Sequence, residues 1–275
     1  MTYTQAMVLG ITEGLTEYLP VSSTGHLYLA AHIMGLNDDE KDKPVVDAYV
    51  IAIQIGAIIA VLWLYFARIV QMLRGVVGRD PEGRTLFLNT LAAFLPAVLI
   101  GLSFEGLIKR YLFGIWPIAM ALFVGGLAIL LVAEHLKRRG QKGCALETLT
   151  LKQALIIGLI QCIAMWPGVS RSLVTILGGV LAGLSLPAAV EFSFLLGLIT
   201  LGGATCYELF KEGPHMIALF GWASPAIGLI TAFASAVIAV KWMVAYLNKH
   251  GLQVFGYYRI ILAAVVVIMI MGGML

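Results

Sequence analysis

Charge is what this sequence has least of. Only 12% of its 275 residues are Asp, Glu, Lys or Arg, against 60% apolar, where soluble domains carry roughly 25% charged residues. That shortage excludes an ordinary water-soluble domain, and a net charge of +3 carries no signature of a nucleic-acid partner. Lys and Arg are missing altogether from residues 1–36, so the basic segment that opens a cleavable signal peptide is not there and none is expected. Cysteine is scarce as well: Cys144, Cys162 and Cys206 are odd in number and have no paired or metal-ligand spacing, which excludes a disulfide framework. Long uncharged apolar runs are present instead. Several reach the ~20 residues that cross a hydrocarbon core of ~30 Å, so the fold class expected is an all-α polytopic membrane protein.

Within this apolar chain one stretch stands out, Glu13 to His26, reading EGLTEYLPVSSTGH. Glu13 and Glu17 are four residues apart and share a face if helical. Pro20 breaks the helix, and Ser22, Ser23 and His26 follow. Ionisable groups at membrane depth are costly and face a partner or a water-filled cavity. The flanking segments are too short to span and, with Pro20 and Gly25 between them, read as a re-entrant hairpin over 3–36 whose tip is buried in protein or lines a cavity. Spans are expected at 45–67, 86–104 and 116–136, then a loop over 137–152.

From 153 the pattern begins again: a second re-entrant hairpin over 153–184, then spans at 188–210, 217–240 and 256–274. At an offset of 148, Gly10 meets Gly158, Val21-Ser22 meets Val169-Ser170, Gly35-Leu36 meets Gly183-Leu184, and Glu13 meets Gln161. Three spans per half place the halves, 1–136 and 153–275, in opposite orientations, the inverted-topology repeat. Loops 68–85, 137–152 and 241–250 carry eleven Lys and Arg, and loops 37–44, 106–115 and 211–215 carry five. The positive-inside rule places the first set in the cytoplasm, and the first hairpin with its acidic loop on the outer side.

The second hairpin's tip, WPGVSRSLVT from Trp166 to Thr175, has a Pro-Gly turn, Ser170, Arg171 and Ser172, then an apolar helix. A turn entering a helix presents N–H groups to an anion, and Arg adds a fork suited to phosphate. Arg171 is the one charge between 153 and 190, so it needs an anion: Glu13 or Glu17 as a structural ion pair, or a ligand. If the tips meet, the set suits hydrolysis of a phosphate ester or anhydride. Carboxylates would hold a divalent cation or activate a nucleophile, Ser23 or His26 would attack phosphorus, or His26 would act as general base. Arg171 would stabilise the equatorial oxygens. Gln54, inside the first span, lines the cavity or merely packs. Glu134, His135 and Arg259 lie at span ends and read as interfacial anchors, and Glu191 reads as a structural hydrogen-bond partner.

These two motifs, with Gln54 and Gly56, QCIAMWPG and EFSFLL, resemble the signatures of the undecaprenyl pyrophosphate phosphatase (bacitracin-resistance) family over nearly the whole chain. The resemblance implies a divalent-cation-dependent (Mg²⁺ or Ca²⁺) integral membrane phosphatase of the bacterial inner membrane. It would remove the terminal phosphate of undecaprenyl pyrophosphate on the outer side and recycle the lipid carrier for cell-wall synthesis. The residues implicated are Glu13 and Glu17 (catalysis and metal), Ser23, His26 and Arg171 (catalysis), and Ser22, Ser170, Arg171, Ser172 and Thr175 (substrate), with Gln54 a further candidate for substrate binding. Leu173 and Val174 depart from the family's small residues and are expected to crowd the helix start; Ile199 stands where a proline is usual. The alternative is a lipid flippase or secondary transporter on the same repeat. The partners expected are the polyprenyl pyrophosphate and the bilayer, without nucleic acid; whether the chain forms a homodimer is left open.

Overall fold

A computed structural model describes residues 1–36, 43–112, 114–139 and 143–274. It is all-helical, with no strand among the described residues. The elements are α1 (Tyr3–Thr16), α2 (Ser23–Ile33), α3 (Lys43–Leu64), α4 (Phe66–Val76), α5 (Pro81–Leu112), α6 (Ile115–Arg139), α7 (Leu151–Gln161), α8 (Arg171–Leu181), α9 (Leu186–Phe220), α10 (Ala223–His250) and α11 (Gln253–Met271). Five helices are long and apolar enough to cross a membrane, or six if the bent pair α3–α4 counts as one span. The protein is a multi-pass membrane protein.

α1 has 14 residues, and α2, α7 and α8 have 11 each. At 1.5 Å per residue these reach roughly 21 Å and 17 Å, short of the ~30 Å core. Both pairs form helical hairpins, and local chemistry repeats at the offset of 148. Thr2 and Thr150 each cap their helix in a capping box with a glutamine three residues on. Gln5 Nε2 donates to the Met34 carbonyl at 3.2 Å and Gln153 Nε2 to that of Ala182 at 2.9 Å, each tying the hairpin's base. Ser22 (φ 75°) and Ser170 (φ 78°) are the only non-glycine residues with positive φ among the described residues. Such backbone costs about 1–3 kcal/mol per residue and concentrates where the surroundings over-determine it.

Small residues bring the hairpins into the bundle. A Cβ on Gly10 would meet the Gly228 carbonyl of α10, and one on Gly158 the Ala93 carbonyl of α5. Close backbone approach of this kind is what Gly supplies between helices in lipid. α3 packs on α10 and α9, α6 on α11, and α8 on α9.

Several expected connections are helical instead. The connection expected at 106–115 is helical through Leu112 in α5, and 211–215 lies inside α9 despite Pro214; the chain turns at Gly221 (φ 65°) and Trp222. The segment 241–250 continues α10. In each case a polar or helix-breaking sequence suggested an end where the backbone bonds persist. Loop 68–85 conceals α4, bent 79° from α3. Residues 37–42 of the expected acidic outer loop fall outside the described residues.

Candidate active site

The tips of the two hairpins meet. Glu17 caps the C-terminal end of α1 and is buried at 6% exposure. Its Oε2 accepts a 2.6 Å hydrogen bond from Ser23 Oγ, at the first position of α2. Its Oε1 accepts from Arg171 Nη2 at 3.0 Å, an ion pair spanning 154 residues of sequence. A hydroxyl, a carboxylate and a guanidinium thus form one chain, two links from the first hairpin and one from the second.

The guanidinium is held from several sides. Arg171 Nη1 donates to the Ser193 carbonyl on α9 at 3.0 Å, and the group lies 5.1 Å from the centroid of the Tyr18 ring, a cation–π distance. Any side chain at Gly197 would run into it. Around it, Ser172 Oγ donates to the Leu19 carbonyl at 2.8 Å, locking tip to tip, and lies 2.9 Å from Ser170 Oγ. Thr175 Oγ1 is 2.6 Å from Ser193 Oγ. Ser22 and Ser170 are N-caps, their Oγ atoms accepting from Gly25 and Leu173 N–H at 3.3 Å each. The first N–H groups of α2 and α8 have no acceptor within their helices. Leu173 and Val174, expected to crowd this helix start, are buried in the main apolar core and leave the cap intact.

Four buried polar atoms gather here without a hydrogen-bond partner: both Glu13 carboxylate oxygens, the Tyr18 hydroxyl and Arg171 Nε. Glu13 is wholly buried and close enough to Glu17 and Arg171 to feel both charges. A buried carboxylate without a partner is costly, so two bare oxygens beside a second carboxylate need a proton or a cation. Among the described residues no three His, Cys, Asp or Glu converge. Two carboxylates alone suit a cation that completes its shell with water and phosphate oxygens, the usual Mg²⁺ arrangement.

Two of the expected residues make no hydrogen bond to Glu17, Ser23 or Arg171 among the described residues. His26 turns toward α11: its Nδ1 lies 2.7 Å from the Ser22 carbonyl and its Nε2 2.6 Å from the Tyr258 hydroxyl, with the two rings stacked. A carbonyl only accepts, so Nδ1 carries the proton. Gln54 accepts from Thr205 on α9 at 3.4 Å, and no hydrogen bond joins it to the cluster among the described residues.

Arg259 corrects its sequence reading. It is fully buried, not an interfacial anchor. Nη2 donates to the carbonyls of Ala121 (2.9 Å) and Gly168 (2.8 Å), Nη1 to Pro20 (3.4 Å), and Nε to Leu122 (3.3 Å). Pro20 and Gly168 belong to the two tips, so Arg259 clasps both to α6. Nothing in the sequence marked this except that Arg259 enters an apolar run; Tyr18, Ser193 and Gly197 were missed for want of any charge. Glu191 does have a structural partner, Arg68, whose Nε donates to it at 2.6 Å and whose Nη2 donates to Glu147 at 2.7 Å.

An all-helical membrane protein with a hydroxyl, two carboxylates and a guanidinium buried where two half-length hairpins meet has the form of a membrane-embedded acid–base centre for an anionic ligand. The chain belongs to the family described as Bacitracin resistance protein BacA, whose model matches residues 6–265. It is 44% identical to a protein of Sorangium cellulosum named undecaprenyl-diphosphatase, over 97% of this chain and 86% of that one. It is 43% identical to undecaprenyl-diphosphatase 2 of Rhodospirillum rubrum (98% and 96% covered) and 42% identical to undecaprenyl-diphosphatase 3 of Acinetobacter baylyi (95% and 96%).

Proposed function

We propose that the protein is an undecaprenyl-diphosphatase, hydrolysing a polyprenyl pyrophosphate to the monophosphate and inorganic phosphate. The relatives' names support the reaction, and one observation carries the site: Ser23 Oγ bonded to Glu17, and Glu17 to Arg171, across the two hairpins. The transporter alternative leaves this chain of acid–base groups without a task.

In the proposed mechanism the pyrophosphate enters between the tips. Arg171 Nε and the first amides of α8 meet the terminal phosphoryl oxygens, while the isoprenoid tail stays among the apolar helices. Ser23 Oγ attacks the terminal phosphorus as its proton passes to Glu17 Oε2. The bridging P–O bond breaks, the polyprenyl monophosphate leaves, and the phosphoryl group is on Ser23. Glu17 hands its proton to the departing monophosphate; water then attacks the phosphorus on Ser23, giving a proton to Glu17, which returns it to Ser23 Oγ as that P–O bond breaks and phosphate leaves. Glu13 and Glu17 would hold a divalent cation, which when bound neutralises charge on the pyrophosphate oxygens. The His26–Tyr258 hydrogen bond supports a role for His26 at the α2 entry and Ser23 as the attacking group.

Acid quenching during turnover of substrate labelled in the terminal phosphate tests the assignment. Label should stay on wild type and be absent from Ser23→Ala; no labelled protein in either would give the attack to water.

The setting is the bacterial inner membrane, with the site open to the outer side. The excess of Lys and Arg in the loops placed inside supports this orientation. A cysteine at Asp39 should then react with an impermeant maleimide on intact cells. Reaction only after membrane disruption would reverse the orientation.

A further inference from the structure

A second lipid-facing feature lies outside the hairpins, at the junction of α4 and α5. α4 leaves α3 at 79°, so it runs across the bundle rather than along it. One of its faces is against the protein: Met72 is buried, and Gly75 abuts the backbone of Gly83 and Arg84. The opposite stripe, Phe66, Leu73 and Val77, is bare, at 62%, 58% and 66% exposure. These residues follow i, i+7 and i+11, one line along a helix. A short helix folded sideways from a spanning one, with an outward apolar line, lies in the plane of the bilayer surface.

Four of the six charges over 68–84 are arginines, and Asp80 and Glu82 stand between Arg79 and Arg84. Arg74, Arg79 and Arg84 are exposed, and none has a side-chain hydrogen bond or ion pair among the described residues. Arg68 is different, being taken up by Glu147 and Glu191. Asp80 is occupied by the Gly83 N–H at 2.8 Å. A cleft of about 370 Å³ opens beside Arg84, lined also by Gly75, Gly78, Asp80, Thr85 and Leu88. From Leu88 an exposed line continues along α5 through Leu95, Leu99 and Leu102, again on one face by helical spacing. A cleft with the bare Arg84 guanidinium in its lining and Arg74 and Arg79 nearby in sequence, running into an apolar track on a membrane-crossing helix, matches a molecule with an anionic phosphodiester head and an acyl chain.

We infer that the α4–α5 junction is a binding site for an anionic phospholipid of the bilayer, its head in the cleft by Arg84 and an acyl chain along Leu88–Leu102. Arg74 and Arg79 add selectivity for negative charge. The site shares no residue with the hairpin tips, and it lies at loop 68–85, on the side of the membrane that carries the more basic loops.

The test uses the whole chain in phosphatidylcholine vesicles containing a trace of spin-labelled phosphatidylglycerol or spin-labelled phosphatidylcholine. The fraction of each label immobilised by the protein is read by electron paramagnetic resonance. Wild type should favour phosphatidylglycerol by about fivefold, as a few basic residues near a membrane surface do. The triple variant Arg74→Gln/Arg79→Gln/Arg84→Gln should bring the ratio close to one. The double variant Lys137→Gln/Arg138→Gln, which removes charge from the next loop of the same set, should leave it unchanged. Equal immobilisation of both lipids by wild type, selectivity surviving the triple variant, or an equal loss in the double variant would each overturn the site. All the substituted side chains are exposed, and an unchanged circular dichroism spectrum confirms that each variant is folded.

Discussion

Arg171→Lys should lower phosphate release from a polyprenyl pyrophosphate by about 10²-fold or more, the scale of losing one pre-placed donor to a developing phosphoryl charge. Lysine keeps the positive charge but is a point, whereas Arg171 uses a fork. One arm pairs with Glu17, another donates to the Ser193 carbonyl, and Nε is left for a ligand. A single ammonium cannot hold all three directions. Arg171→Ala should lose more, about 10³-fold, but it also strands a buried carboxylate, which costs about 3–5 kcal/mol when one partner of a buried pair is removed. The lysine variant is therefore the informative one: its thermal unfolding midpoint should stay near wild type while kcat falls. A lysine variant turning over at the wild-type rate would remove Arg171 from the chemistry.

Glu17→Gln carries the other large effect. The amide has the carboxylate's shape and keeps an oxygen for Ser23, so packing around the C-terminal end of α1 survives. It cannot accept the Ser23 proton, and it removes the negative charge that faces Arg171. Losing a positioned general base costs about 10²–10⁴-fold, and the fall should appear in kcat more than in KM because Glu17 acts on the nucleophile. A variant with altered KM and intact kcat would make Glu17 a binding group, and the proton would need another acceptor.

How far the sequence reaches is clear from these residues. Glu17, Ser23 and Arg171 were legible because polar groups in an apolar chain must be satisfied, and the offset of 148 told which tip completes which. The direction of His26 was not legible, since its partner Tyr258 is 232 residues away. Arg259 was read as an anchor because it is near a span end, where arginine ordinarily reaches water; only the packing of α11 against α6 brings it under both tips. Helix α4 was hidden by four arginines, Arg68 and Arg74 within it and Arg79 and Arg84 after it, although Phe66, Leu73 and Val77 already stood at helical spacing. Gln54 is open in the sequence between cavity and packing, because its depth in α3 does not fix which neighbour it meets; its hydrogen-bond partner is Thr205. The positive φ at Ser22 and Ser170 had no sequence signal, because nothing about a serine announces a conformation that favours glycine.

The central claim is that the two hairpin tips together make a hydrolytic centre for a lipid pyrophosphate. The direct measurement is phosphate release by the purified chain given undecaprenyl pyrophosphate with Mg²⁺ or Ca²⁺, alongside Glu17→Gln and Arg171→Lys. One phosphate and one undecaprenyl monophosphate per substrate consumed are expected, at a rate about 10²-fold or more above both variants. Equal rates in the three proteins with either cation would contradict it.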